Sequence, residues 1–128
     1  MGLTEEQWRE KLSPLEYEVL WKKGTEAPFS GKLLYNKEKG TYVTAGCDQP
    51  VFSSEHKYDS KTGWPSFWKP IDDDAIRIVP DNSLGLRRFE VVSSKCGEHL
   101  GHVFRDGPPP TGLRYCINSA ALNFISSP

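Results

Sequence analysis

Apolar residues along the chain change their period once, near Thr25. Before that point they recur at helical spacing. In LSPLEYEVLWKKG, Ser13 is placed to cap a helix, with Pro14 at the first helical position and Glu16 three residues after the cap. Leu15 and Val19 then share a face that Tyr17, Leu20 and Trp21 widen, and Gly24 is the natural stop. A shorter helix is expected just before it, with Thr4 as cap, Gln7 at the third position and Leu3 stapled onto Trp8. Both helices are expected to pack on a sheet.

From Thr25 onward the pattern becomes short β-branched and aromatic runs between turn residues. Gly40–Ala45 (GTYVTA) and Arg88–Ser93 (RFEVVS) read as strands. The second places Phe89 and Val91 on one side and Glu90 and Val92 on the other. His102–Arg105 is a short strand ended by Asp106-Gly107 and three prolines, and Leu113–Ile125 supplies two more strand-like runs. The stretch from Asp59 to Ser83 reads as loop, the kind of long connection that often carries function. The predicted class is mainly β.

Composition narrows this picture. The 128 residues suffice for one domain with a core, residues 1–128, of which 1–23 are helical and 24–128 β-rich. Gly 11 and Pro 10 fit a turn-rich β protein. A net charge of −1 leaves no basic footprint for nucleic acid or anionic membrane, so neither is an expected partner. No apolar run approaches the ~20 residues that cross a bilayer, and MGLTEEQWREKL lacks the apolar core of an export signal. The expected location is cytoplasmic, with an organellar one through a removed presequence left open. Three cysteines, an odd number, argue for a reducing compartment rather than a disulfide framework.

Candidate chemistry sits in three stretches. In LRYCINS, a strand would turn Leu113, Tyr115 and Ile117 to the core and Arg114, Cys116 and Asn118 to the other face. A guanidinium beside a thiol favours the thiolate, the nucleophilic form, and a carboxamide can hold a substrate oxygen. The bland alternative is a buried, inert cysteine. In SSKCGEHLGHVF, Cys96, His99 and His102 fall three apart. On a regular strand the two histidines face opposite ways, but Gly101 permits a bulge that would bring both imidazoles to one site. With Cys47 they also form a possible Cys2His2 zinc set. Against zinc, Thr44 and Ser93 stand where the first thiol of two C-x-x-C pairs would be, and hydroxyls are poor zinc ligands beside thiolates. In GWPSFW, Trp64, Phe67 and Trp68 can either line an apolar pocket or plug the edge of the core.

Taken together, GTEAPFSG (24–31), KYDSKTGWPSFWKPI (57–71), HLGHVFRDGP (99–108) and GLRYCINSAALNF (112–124) resemble the type B methionine sulfoxide reductases. The pieces occur in that family's order and cover nearly all of the chain from Tyr17 onward. The resemblance implies two antiparallel sheets, a β-tent, with N-terminal helices outside. It implies thiol-dependent reduction of the R epimer of methionine sulfoxide, mainly protein-bound, in repair of oxidised proteins, with no cofactor and with thioredoxin or another thiol as reductant. By motif position, Cys116 resembles the nucleophile that becomes a sulfenic acid. His99 and His102 resemble the groups around the sulfoxide oxygen, and Asn118 and Arg114 its flanking residues. Trp64, with Phe67, resembles the wall that receives the substrate's methyl. The expected oligomeric state is a monomer.

Two departures from the family pattern carry expectations of their own. Thr44, Cys47, Ser93 and Cys96 look like a degenerate zinc site, so no metal is expected, and Cys47 and Cys96 become neighbours that either stay free or pair. Thr62 stands where many members carry a resolving cysteine. An external thiol is therefore the expected reductant of Cys116, with Cys47 and Cys96 as poor substitutes. Two rival readings are a zinc-ribbon interaction module and a zinc hydrolase or deaminase. The first would tolerate loss of Cys116. The second lacks the H-x-E and P-C-x-x-C elements.

Overall fold

The computed structural model describes residues 5–22, 24–81 and 88–126. The cap at Thr4 and its staple with Leu3 therefore lie outside the described residues. Helix α1 spans Glu5–Lys11 and α2 spans Pro14–Lys22. The expected capping box opens α2: the Ser13 hydroxyl accepts the Glu16 N–H at 3.1 Å, and the Glu16 carboxylate accepts the Ser13 N–H at 2.8 Å. Past the helix, the Gly24 N–H returns to the Glu18 carbonyl at 2.9 Å. Tyr17, Val19 and Leu20 are buried, but Leu15 is 51% exposed. The helical face is thus centred on Tyr17, Leu20 and half-buried Trp21. Leu15, in the first turn, lies instead along a surface groove with Ser13 and Glu16. Among the described residues, no helix is long and apolar enough to cross a membrane.

Two antiparallel sheets follow, as the mainly β reading expects. The smaller has the order β2-β1-β9, from β1 (Gly40–Thr44), β2 (Pro50–Ser53) and β9 (Leu122–Ser126). The larger has the order β3-β4-β8-β7-β6-β5. Its strands are β3 (Lys57–Tyr58), β4 (Ser66–Phe67), β5 (Ile76–Asp81), β6 (Arg88–Ser93), β7 (His99–Phe104) and β8 (Arg114–Ile117). Strands β4 and β5 lie inside the stretch read as loop. Two residues are too few to show a period, and Pro80 argues against a strand unless it sits on an edge, where β5 runs.

Aromatic packing joins the sheets. Phe67 of the larger stacks on Phe52 of the smaller at 4.4 Å and meets Tyr42 edge-on at 5.2 Å. Tyr115, Ile117, Leu100 and Val91 complete the core with Val19 and Leu20 of α2. Phe67 is 0% exposed. The expectation that it lines a substrate pocket is therefore corrected: strand alternation turns Phe67 to the core with Tyr115 and turns Ser66 the other way with Cys116.

Candidate active site

Register across the larger sheet builds the site. Ser66 on β4 stands opposite Cys116 on β8, Cys116 opposite His102 on β7, and His102 opposite Glu90 on β6. Residues opposite one another on neighbouring strands point to the same face. One rung therefore carries a hydroxyl, a thiol, an imidazole and a carboxylate in line.

His99 reaches the same region through a bulge. Val91 pairs with Gly101 and Val92 with His99, leaving Leu100 as the extra residue of β7. The rings of His99 and His102 consequently meet at 5.4 Å, edge to face. Gly101 is required here, because a Cβ would collide with the Cys116 carbonyl on β8. Each imidazole has one nitrogen committed to a carboxylate. His99 Nδ1 donates to buried Glu90 at 2.8 Å, and His102 Nε2 donates to Asp81 at 2.8 Å. Such partners fix the tautomer and orientation of an imidazole.

Cys116 and His102 open into a cavity of about 250 Å³ lined also by Thr25, Thr62, Trp64 and Arg114, with Arg88, Gly101, Phe104 and Asn118 completing the wall. His99 is buried behind His102 and does not line it. Among the described residues, Cys116 is the free thiol. Burial pushes the Cys116 thiol above its ordinary range, while a hydrogen bond from Thr62 and the Arg114 charge pull the other way. The Thr62 hydroxyl lies 3.9 Å from the sulfur. The expected thiolate-favouring cation is thus present, but desolvation outweighs it. Arg114 is aimed by a two-point contact with Asp106, at 2.9 and 3.2 Å, and lies 4.4 Å over the Phe104 ring.

Asn118, placed at the cavity wall, is held at both ends of its amide. Its Nδ2 donates to the Leu100 carbonyl at 3.1 Å and its Oδ1 accepts the Glu26 N–H at 3.0 Å. Its own N–H also goes to Leu100 O, at 3.0 Å. The side chain ties the end of β8 to the histidine bulge. The Trp64 indole N–H donates to the Glu26 carbonyl at 3.0 Å, which fixes the ring at the cavity wall. Trp68 lies away from the cavity, edge-on to His56 at 4.7 Å.

Glu90, Asp81, Asp106 and Glu26 were not singled out by the sequence. Only Glu90 left a trace: a carboxylate in RFEVVS, a strand whose two faces both carry apolar residues.

The C-x-x-H-x-x-H run divides between two places. Cys96 is in the turn after β6, bonded to Cys47 in the turn after β1, with Cα atoms 6.8 Å apart. The Thr44 hydroxyl is 3.3 Å from Cys47 Sγ, and the Ser93 hydroxyl caps its own turn by accepting from Cys96 N–H at 3.3 Å and Glu98 N–H at 3.1 Å. Glu98 is a further member the sequence did not indicate. It is fully buried, its carboxylate 3.4 Å from Cys47 Sγ, and burial raises its pKa. Among the described residues, metal-capable atoms gather only here, at Cys47, Cys96 and Glu98, within 4.8 Å. Two sulfurs bonded to each other, one carboxylate and hydroxyl neighbours do not match the thiolate and imidazole set of a structural zinc.

Comparison with known proteins places this arrangement in a class. The model of the SelR domain matches residues 12–126. The chain is 59% identical over 121 residues to the peptide methionine sulfoxide reductase MsrB of Methanosarcina barkeri, covering 94% of this chain and 85% of that protein. The protein of the same name from Methanosarcina mazei is also 59% identical, over 94% of this chain and 86% of its own. That of Thioalkalivibrio sulfidiphilus is 56% identical over 122 residues, 95% of this chain and 89% of its own. Fold and matches together define a SelR-domain oxidoreductase. The chain belongs to the MsrB family of peptide methionine sulfoxide reductases, and its substrate is methionine sulfoxide.

Proposed function

We propose that this enzyme reduces the R epimer of methionine sulfoxide, mainly within proteins, through a sulfenic acid on Cys116. The observation that carries the reading is the rung itself: thiol and imidazole stand opposite each other and open into a cavity that Trp64 also walls.

The sulfur of a sulfoxide becomes electrophilic when its oxygen is protonated. The His99–His102 pair, held by Glu90 and Asp81, supplies that proton. Cys116 gives up its own proton and attacks, and its sulfur ends bonded to the oxygen: the S–O bond of the substrate breaks, methionine leaves, and Cys116 is oxidised to the sulfenic acid. Two external thiols then reduce Cys116–SOH to the thiol, releasing water and a disulfide. Arg114 favours the thiolate as it forms, in opposition to burial. Trp64 receives the methyl group and the histidines receive the oxygen, so only one configuration at sulfur presents its open side to Cys116. Asn118 contributes by holding the bulge from the cavity wall.

Thr62 beside Cys116, and the pairing of Cys47 with Cys96, support an external reductant of the thioredoxin class. In this reading the chain acts as one catalytic domain, residues 1–128, and as a cytoplasmic monomer in protein repair. The test is mass spectrometry after one turnover without reductant. The expected product is Cys116 carrying one added oxygen, trapped by dimedone. A disulfide between Cys116 and Cys47 or Cys96 at high yield would overturn the external route.

A further inference from the structure

The segment GTEAPFSG has no part in the chemistry above, yet it crosses beside the cavity. Its centre is Glu26, a carboxylate only 4% exposed. Oε1 accepts the Ala120 N–H at 2.8 Å, in the turn that follows β8. Oε2 is buried with no hydrogen-bond partner among the described residues. A buried carboxylate so thinly satisfied is costly to keep, so its presence asks for a reason.

The backbone of the same residue supplies one. Glu26 N–H holds the Asn118 amide at 3.0 Å, and Glu26 C=O holds the Trp64 indole at 3.0 Å. One peptide unit on each side of a single Cα thus fixes the cavity wall and the residue that ties β8 to the histidine bulge. Further along the segment, Phe29 N–H donates to the Gly63 carbonyl at 2.7 Å, and just past its end Leu33 N–H donates to the Ser119 hydroxyl at 3.3 Å. The fit around the carboxylate is close: a Cβ at Gly31 would collide with both Glu26 Oε2 and Ser119 Oγ.

We propose that Glu26 is a positioning residue of the active site, its carboxylate locking the 24–31 strap onto the β8 turn so that the strap's backbone aims Trp64 and Asn118. This inference rests on the reading of Trp64 as the wall that receives the substrate's methyl group. Glu26 touches no reacting atom. It acts on methionine sulfoxide through the indole and on the histidines through Asn118 and Leu100.

The test compares Glu26→Gln, Glu26→Ala and Gly31→Ala by two readouts. The first is hydrogen exchange of the Trp64 indole N–H, its NMR signal assigned by loss in Trp64→Phe. The second is the split of KM and kcat on a methionine sulfoxide peptide, with Cys116 alkylation as a control for an intact β8. Glu26→Gln keeps an acceptor for Ala120 and is expected to behave as native. Glu26→Ala is expected to speed indole exchange and raise KM, each about tenfold, with alkylation little changed. Gly31→Ala crowds the carboxylate without removing it and is expected to act in the same direction, which decides the matter where Glu26→Ala does not fold. Native exchange and native KM in Gly31→Ala or a folded Glu26→Ala would overturn the proposal. So would a Gln variant as impaired as the Ala variant. Faster exchange with an unchanged KM would uphold the positioning and refute Trp64 as the methyl wall.

Discussion

Cys116 combines two opposing influences, and their balance sets how the enzyme rests. Burial favours the neutral thiol, while Thr62 and Arg114 favour the thiolate, and burial prevails. Near neutral pH the Cys116 thiol is thus favoured over the thiolate, the more readily oxidised form. The rate of Cys116 alkylation by iodoacetamide is expected to rise with pH to a midpoint above the ordinary cysteine value of about 8.5. Arg114→Ala is expected to move that midpoint further up, because it removes a pull toward the thiolate. A midpoint at or below the ordinary value, or a downward shift in the variant, would contradict this balance. Cys116 and the two histidines were readable beforehand. RYCIN exposes its alternation, and HLGH its need for a bulge. Their carboxylate partners were not, since Glu90, Asp81 and Asp106 arrive from separate strands and turns, and only register brings them in. Phe67 shows the same limit from the other side: its aromatic neighbours suggested a pocket, and the phase of a two-residue strand decided for the core.

Among the elements, β7 carries the most. It brings two histidines to one face by spending Leu100 as a bulge, and it lies so close to β8 that Gly101 has no room for a side chain. Gly101→Ala is expected to force the strands apart at that level. It should destabilise the protein by about 1–3 kcal/mol and lower kcat more than KM, since it displaces Cys116 relative to His102 while leaving Trp64 in place. Thermal melts and steady-state kinetics check both parts. Native kinetics would show that the close approach is unimportant. The capping box of α2 and strands β1 and β6 could be read from the chain because each is set by its own residues. Strand β5 could not, because its pairing on the sheet edge overrides the local preference of Pro80.

Across the whole molecule, the stacked Phe52–Phe67 core and the Cys47–Cys96 bridge tie the smaller sheet to the larger. The bridge joins positions 49 residues apart. In the chain-entropy account such a loop stabilises the fold by about 4 kcal/mol, so Cys96→Ser is expected to lower the denaturation midpoint substantially. Buried Glu98 beside it adds a pH term. Its pKa is raised on folding, so its contribution is fully present below the unfolded value and is lost as pH rises through the folded one. Glu98→Gln is therefore expected to match the native protein near pH 4 and to exceed it in stability toward neutrality. A native protein that stays ahead of the variant at neutral pH would contradict that sign. Sequence indicated that the four former ligand positions would converge. It did not indicate Glu98, whose charge reads as surface until the turn buries it.

In the proposed mechanism, everything depends on Cys116 acting as the nucleophile toward one epimer. A racemic methionine sulfoxide peptide, reduced with dithiothreitol as the thiol, separates the possibilities when the native protein is run beside Cys116→Ser. The expected result is complete loss of the R epimer with the S epimer untouched, and no reduction by the variant. Consumption of the S epimer, or reduction that persists without the Cys116 thiol, would contradict it.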